Sequence, residues 1–350
     1  MANAPDPLAA TPEVIGGGAA VRAESRDVQA GLPSTQVSLT RVGVRGVEKV
    51  IHVRANGGDD DRGTLFFAEL ECFVDLNPRQ AGVHMSRFEE IVNEAIDDVV
   101  LSETLRAEEL AAHIAQQVRE RQRGLRAEVR IEARYPETVN APVSGLRTQE
   151  IYKLHGIAVA SERGTRTLTG VEAQGMTACP CAQEELTGRA RERLAAEGFS
   201  AEEMERIFRS VPVATHNQRG IGQLHLGRPE GVEVDIDARD LLHIVEGSMS
   251  SEIYELMKRT DEASVVEKAH RNPRFVEDVV REMIRQVAER YPELRDGGFV
   301  LARQENLETI HRHSVVAERS GMLAEILDEL ESGTHSARHV ERREWLEGRV

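Results

Sequence analysis

The chain has 350 residues, of which 40% are hydrophobic and 30% are charged, a composition typical of globular proteins. Asp and Glu number 60 against 44 Lys and Arg, which gives a net charge of −16 and argues against a nucleic-acid or anionic-membrane partner. Three cysteines cannot form a disulfide framework, and the sequence contains neither a signal peptide nor a long apolar run. We therefore expect a cytoplasmic protein.

The first half of the chain predicts the order strand, strand, helix, helix, strand, strand. Apolar residues alternate in its strands and recur at helical spacing in its helices. The predicted elements are a flexible arm at 1–35, strands at 37–53 and 66–74 with a turn at 56–59, a helix capped by Ser86 and Glu89 that runs to Val100, a helix around 110–118, and strands at 125–133 and 151–160.

The second half predicts the same order with a charged helical insertion. Its predicted elements are strands at 168–178, 221–226 and 232–236, the insertion at 184–209, a helix that starts at Asp237, a helix at 275–287 capped by Asn272, and strands at 299–302 and 314–317. We interpret the chain as an α+β protein with one module at 36–162 and another at 163–325. The charged tail at 326–350 is either a peripheral helix or disordered.

Four segments of the second half carry residues with metal or proton chemistry. The thiols of Cys179 and Cys181 are either ligands or nucleophiles, or small core residues. His216 is either a metal ligand or part of a polar loop. Glu252 and Glu267 either take part in metal or proton chemistry or belong to a solvated helix. A fourth segment holds His311 and His313, which would share one face if this segment is a strand.

One Cys, one His and one carboxylate would form an open metal site with room for water. Such a ligand set is compatible with zinc, iron or manganese. Cys179, His216 and Glu252 lie 37 and 36 residues apart, which is not the spacing of a compact metal motif. In the first half, Arg87 at a helix start either binds an anion or belongs to ordinary capping. From the residues alone, the prediction stops at a Cys/His/Glu metallohydrolase.

At these residues the sequence resembles the type IB GTP cyclohydrolases over roughly residues 26–320. The insertion between Cys181 and His216 makes it look closer to the archaeal-type branch. The matching segments, in family order, are CFVDLNPRQAGVHMSRFEE (72–90), GMTACPCAQ (175–183), THNQRG (215–220), EIYELMKR (252–259), NPRFVEDVVRE (272–282) and ENLETIHRHS (305–314).

The resemblance implies a tunnelling fold: two ββααββ modules per chain, antiparallel sheets with helix pairs on one face, and a homotetramer with sites between subunits. It implies that Fe²⁺, Mn²⁺ or Zn²⁺ supports the attack of water on carbon 8 of the guanine ring of GTP. Formate leaves, and the product is a dihydroneopterin triphosphate or, in the archaeal-type branch that the insertion favours, a cyclic phosphate. A related enzyme acting on another purine or pterin and a non-catalytic purine-binding protein are the competing hypotheses.

Site roles carry over from the family by motif. Cys179, His216 and Glu252 are the implied metal ligands, and Cys181 is the weaker alternative to Cys179. The implied catalytic residues are Cys179, Glu267, His311 and His313. Because the triphosphate needs positive charge, the expected substrate-binding residues are Arg87, Arg219, Lys258 and Arg259.

Overall fold

Nine strands form one antiparallel sheet in the computed structural model, which describes residues 27–53, 64–99, 106–334 and 339–350. The strands are β1 (Leu39–Val53), β2 (Thr64–Leu76), β3 (Ala127–Asn140), β4 (Arg147–Ser161), β5 (Gly164–Ala178), β6 (Asn217–Arg228), β7 (Ser251–Glu252), β8 (Phe299–Leu307) and β9 (Val315–Met322). The predicted turn at 56–59, Val100 and most of the predicted arm lie outside the described residues.

The helices lie between these strands and after the last of them. They are α1 (Met85–Val99), α2 (Ala107–Gln122), α3 (Pro180–Ala196), α4 (Ala201–Ser210), α5 (Ala238–Ser248), α6 (Arg259–Arg271), α7 (Val276–Arg290), α8 (Leu323–Ser332) and α9 (Arg342–Leu346). A 3₁₀ turn at Pro292–Leu294 precedes β8. None of the described helices is long and apolar enough to cross a bilayer.

The sheet follows the order β1-β2-β3-β4-β5-β6-β8-β9, with β7 paired to β5. Strands β4 and β5 pair through a tight turn between Ser161 and Gly164, so both halves of the chain share one sheet. Each half contributes four strands of this row and a helix pair, α1 with α2 and α5 with α7. The predicted α+β class and the predicted antiparallel sheet with helices are confirmed.

The main core lies between the sheet and these helices. Alternate residues of the strands, such as Leu70 and Ile131, pack with helical residues such as Phe88 and Ile114, and all four are buried. Burial of a large apolar side chain contributes about 1.5–3 kcal/mol. Helix α2 approaches β4 closely at Gly156, where an added Cβ would lie 2.2 Å from the carbonyl carbon of Ala107.

The C-terminal residues cover the opposite face of the sheet, which we call the tail face. Trp345 of α9 is buried and stacks on Phe299 with 5.5 Å between ring centroids. Its Nε1 donates to the carbonyl oxygen of Gly297 at 2.9 Å. The strand residues Ile157 and Leu168 complete this second apolar cluster. The predicted charged tail is therefore helical at α8 and α9, and its only tryptophan anchors it.

Several predicted boundaries are wrong. Helix α1 begins at Met85, before the predicted cap Ser86, and residues 232–236 form no strand. Leu125 is exposed, because the alternation of β3 begins only at Ala127. Asn272 ends α6 instead of starting α7; the Asp278 carboxylate accepts from the backbone nitrogen of Phe275 and sets the later start.

Candidate metal and substrate site

Cys179 lies where β5 ends and α3 begins, with Pro180 as the first helical residue. Its backbone nitrogen donates to the carbonyl oxygen of His216 at 3.1 Å. The hydroxyl of Thr215 donates to the carbonyl oxygen of Cys179 at 3.0 Å. These bonds extend the β5–β6 pairing by one step, so the structure brings two of the predicted metal ligands together.

The imidazole of His216 is held by two side chains that the sequence analysis did not select. Its Nδ1 lies 3.0 Å from Oε1 of Gln218 and 3.7 Å from Oε2 of Glu308. Gln218 is itself oriented, because its Nε2 donates to Oγ1 of Thr177 at 3.1 Å. With the proton assigned to Nδ1, Nε2 has no hydrogen-bond partner among the described residues. This is the arrangement typical of a histidine that binds a metal ion through its other nitrogen.

Glu252 lies on the opposite side of β5 from His216. It occupies the two-residue strand β7, directly opposite Gly175, and Oγ of the neighbouring Ser250 accepts from the backbone nitrogen of Ala178 at 3.1 Å. The Glu252 carboxylate forms an ion pair with Lys268 of α6. The third predicted ligand is therefore anchored beside the end of β5, with a cation as its partner.

The chemistry of this donor set fits a divalent ion such as zinc, iron or manganese. The thiol of Cys179 is partly exposed and the imidazole of His216 keeps a free Nε2. Within the described ranges, however, no three His, Cys, Asp or Glu side chains are gathered around one point as metal ligands. Cys72 is no alternative, because burial, together with Glu89 and Glu71, raises the pKa of its thiol to about 12.

The predicted acid–base residues lie outside the Cys179–His216 pair. His311 and His313 stand in the loop between β8 and β9, so the strand that would have put both on one face does not reach them; both are exposed, with ring centroids 5.2 Å apart. Thr309 of this loop donates to the carbonyl oxygen of Asn217 at 3.1 Å, which fixes the loop beside His216. Glu267 is on α6 and pairs with Arg271 at 2.7 Å.

The four predicted phosphate-binding residues occupy three places. Lys258 and Arg259 are exposed at the start of α6. Arg219 is exposed on β6, and its place in the strand alternation puts it on the tail face. Arg87 lies on α1 and donates to the carbonyl oxygen of Arg121 at 3.2 Å, so this chain alone does not bring it to Cys179.

Gln218 and Glu308 are the site residues that the sequence analysis missed. Both stand inside segments that it had singled out: Gln218 is two residues from the predicted ligand His216, and Glu308 is three residues from the predicted catalytic residue His311. Their selection would have required the pairing of β6 with β8, in which Arg219 lies opposite Leu307 and brings Glu308 to His216.

The fold is similar to solved uricases at low sequence identity. The uricase of Arthrobacter globiformis matches with a TM-score of 0.48 and 11% identity, over 85% of this chain and 96% of that one. The uricase of Bacillus fastidious matches with a TM-score of 0.46 and 8% identity, over 86% and 99%. These values carry no conclusion about activity.

The sequence comparisons identify the family. The family model described as "Type I GTP cyclohydrolase folE2" matches residues 26–317. "GTP cyclohydrolase MptA" of Methanococcus aeolicus is 42% identical over 310 residues, which are 87% of this chain and 99% of that protein. The protein of the same name from Methanocaldococcus jannaschii is 39% identical over 309 residues, 87% and 97% of the two chains. The chain with this thiol–imidazole pair belongs to the type IB GTP cyclohydrolase family.

Proposed function

We propose that this chain converts GTP to a dihydroneopterin phosphate, using a divalent metal ion held by Cys179, His216 and Glu252. The observation that carries the proposal is the oriented His216: its Nδ1 lies 3.0 Å from Oε1 of Gln218, its Nε2 has no hydrogen-bond partner among the described residues, and its backbone pairs with that of Cys179. A binding module without a metal would have no need to orient an imidazole in this way. Membership in the GTP cyclohydrolase family supports GTP as the substrate.

Cys179, His216 and Glu252 would hold the divalent ion, which would supply a Lewis acid that lowers the pKa of the water that attacks carbon 8 of guanine. Glu308 and Gln218 keep the proton on Nδ1 of His216 and leave Nε2 as the ligand atom. His311 and His313 exchange protons with the opening imidazole ring, because their loop is fixed next to His216. Ring opening releases formate.

Glu252 would exchange partners when the metal ion binds. Its carboxylate pairs with Lys268, and we propose that the ion replaces this ammonium as the partner. Lys268→Gln should therefore raise metal affinity, because it removes the competing cation. Glu267 would contact the guanine base, since its ion pair with Arg271 places it outside the thiol–imidazole pair.

The triphosphate would bind at the start of α6. The side chains of Lys258 and Arg259 supply positive charge there, and the helix N-terminus favours anions. Arg219 and, from another copy of the chain, Arg87 would complete the cation set. Arg259→Gln should raise KM for GTP, and an unchanged KM would remove Arg259 from this set.

We propose self-association into a homotetramer, as the resemblance to the type IB enzymes implies. Two features of the single chain support it. Arg87 is remote from the other cations, and large apolar side chains such as Val50 and Phe67 are more than half exposed. A second copy would cover this apolar surface and add the missing cation.

The test is anaerobic incubation of metal-stripped protein with GTP and iron, manganese or zinc. Formate release is measured, and the mass of the product is determined. Formate with a dihydroneopterin species is expected, and the mass separates the cyclic phosphate, which we favour, from the triphosphate. Cys179→Ser should lose metal affinity and formate release, whereas Cys181→Ser, at an exposed position of α3, should keep both. Absence of formate with every metal would contradict GTP as the substrate.

A further inference from the structure

A cavity lies between the tail face of the sheet and α9. It has a volume of about 1310 Å³, which exceeds that of an ordinary ligand pocket, roughly 300–1,000 Å³. Strands β1, β3, β6, β8 and β9 and the segment 339–347 all contribute to its wall. None of the predicted metal, catalytic or phosphate-binding residues lines it.

The wall of this cavity is basic in an acidic protein. Seven arginines and four glutamates line it, an excess of three positive charges in a chain of net charge −16. Three of the arginines share one carboxylate: Glu128 is contacted by Arg41 at 3.4 Å, by Arg126 at 3.0 Å and by Arg130 at 2.8 Å. Burial alone would raise the pKa of Glu128, but these guanidiniums outweigh it and hold the pKa below its ordinary value.

Arg342, at the first position of α9, makes no ion pair or hydrogen bond with the described residues. Burial lowers the pKa of its guanidinium, and the nearby Arg130 adds to the effect, but the group stays charged at neutral pH. Glu128 and Glu318 favour the charged guanidinium from a distance, but neither forms an ion pair with Arg342, so a bound anion would supply the direct partner that this half-buried cation does not have among the described residues.

Two buried nitrogen atoms on the same wall also lack partners. Nε of Arg126 and Nδ1 of His225 are buried and make no hydrogen bond. Nearly all buried polar atoms in proteins are hydrogen-bonded, so these two unpaired atoms show that the polar groups of this wall are incompletely satisfied within the chain.

We propose that this cavity binds a polyphosphate anion, with Arg342 and Arg130 as its principal contacts. A single phosphate would not balance the three excess positive charges of the wall, whereas a di- or triphosphate would. A guanidinium group can also donate two parallel hydrogen bonds to a pair of phosphate oxygens. This cavity is distinct from the proposed metal and GTP site, because none of the residues assigned to that site lines it.

The test is calorimetric titration of the full chain with inorganic tripolyphosphate, compared with Arg342→Gln and Arg130→Gln. In each variant the Kd of tripolyphosphate at this cavity should rise by at least about tenfold, the loss expected for one charge-assisted hydrogen bond. The matched control is Arg281→Gln on α7, where the exposed arginine pairs with Asp278, and it should bind as the wild type does. A parallel titration with CTP shows whether a nucleotide or the free polyphosphate is the better ligand.

Trp345, the only tryptophan, reports whether α9 stays docked in each variant. If Arg342→Gln shifts the Trp345 emission toward that of exposed indole, its loss of binding could come from undocked α9. The affinity of Arg130→Gln then tests the proposal, since Arg130 is on β3 and its charge does not depend on α9. Wild-type affinity in a variant that keeps the wild-type emission, or no binding to the wild type, would overturn the proposal.

Discussion

His216 owes its expected chemistry to two neighbours rather than to its own position in the sequence. Gln218 lies two residues further along the chain, at the start of β6, and Glu308 approaches from the end of β8. Oε1 of Gln218 is within hydrogen-bond distance of Nδ1, and the Glu308 carboxylate at 3.7 Å adds negative charge that favours a proton on this nitrogen, so together they favour one tautomer of the ring. Glu308 is thus a positioning residue, and its loss should affect the metal more than the fold.

Glu308→Gln should weaken metal binding by about 10–100-fold, the usual effect of removing an outer-shell partner of a histidine ligand. Competition titration with a chromogenic chelator measures this affinity. Glu305→Gln, which alters an exposed carboxylate of β8 paired with Arg303, is the matched control and should bind metal normally. Equal affinities of the two variants would show that Glu308 does not act through His216.

The identity of single site residues could be predicted only where a motif contained them. Cys179 and His216 stand in segments of unusual composition, and the structure places them side by side. Glu308 was not selected, because its contact depends on the pairing of strands that are about ninety residues apart in the chain.

Helix α6 is tied to the turn between β3 and β4 by one carboxylate. Oδ1 of the buried Asp261 accepts from the backbone nitrogens of Val143 and Ser144, each at 2.8 Å, and Oδ2 accepts from that of Lys258 at 2.8 Å. Burial alone would raise the pKa of Asp261, but these hydrogen bonds outweigh it and hold the pKa well below its ordinary value.

Asp261→Asn should lower Tm at neutral pH, because an amide replaces one charged acceptor with a donor. Since the folded-state pKa is depressed, the stabilisation by Asp261 is complete above the unfolded-state value of about 3.9 and is lost as pH falls through the folded-state pKa. The Tm difference between wild type and variant should stay constant from pH 7 to about 4 and narrow below that range. A difference that widens in acid would contradict this account.

The contact of α2 with β4 requires glycine at position 156. Gly156→Ala would place Cβ against the backbone of Ala107 and should cost about 1–3 kcal/mol in the free energy of unfolding. Gly188→Ala is the matched control: position 188 of α3 has open space around it, so the variant should gain about 0.5–1 kcal/mol. Urea denaturation measures both values, and a stable Gly156→Ala would show that α2 can move.

Elements with strong periodicity were predictable and their junctions were not. The run 275–287 corresponds to α7 and Asp237 caps α5, as predicted. The mistake at Asn272 arose because an Asn–Pro pair is also suited to the end of a helix. A shared face for His311 and His313 depended on an extended strand at these residues, and alternating residue types do not show that β8 ends at Leu307, before them.

The whole molecule leaves apolar surface on its tail face. Val50 and Phe67 lie opposite each other on β1 and β2 and are 52% and 64% exposed. If a second copy covers them, Phe67→Glu should reduce the tetramer to smaller species in light scattering. Leu330→Glu, at an exposed position of α8, should leave the assembly unchanged. A tetramer that survives Phe67→Glu would place the interface elsewhere.

The docking of the tail could not be predicted, because it depends on long-range contacts. Trp345 meets Phe299 across about fifty residues of sequence, and the local pattern at 339–350 is simply that of a charged helix. The repeated order of elements could be recognised in the sequence, and the division into modules at 36–162 and 163–325 stays a prediction. That both halves join in one sheet follows only from the β4–β5 pairing.

The row of strands has a consequence for synthesis on the ribosome. Apart from the short β7, each strand pairs with the neighbour that precedes it in the chain, so the sheet can grow strand by strand as translation proceeds. The segment that holds Trp345 is made after all the strands, and until it emerges Trp345 cannot cover Phe299 and Leu168. A nascent chain stalled before residue 339 would therefore expose this apolar cluster on a sheet whose strands are already paired. Chaperones that bind exposed apolar segments should retain such a chain.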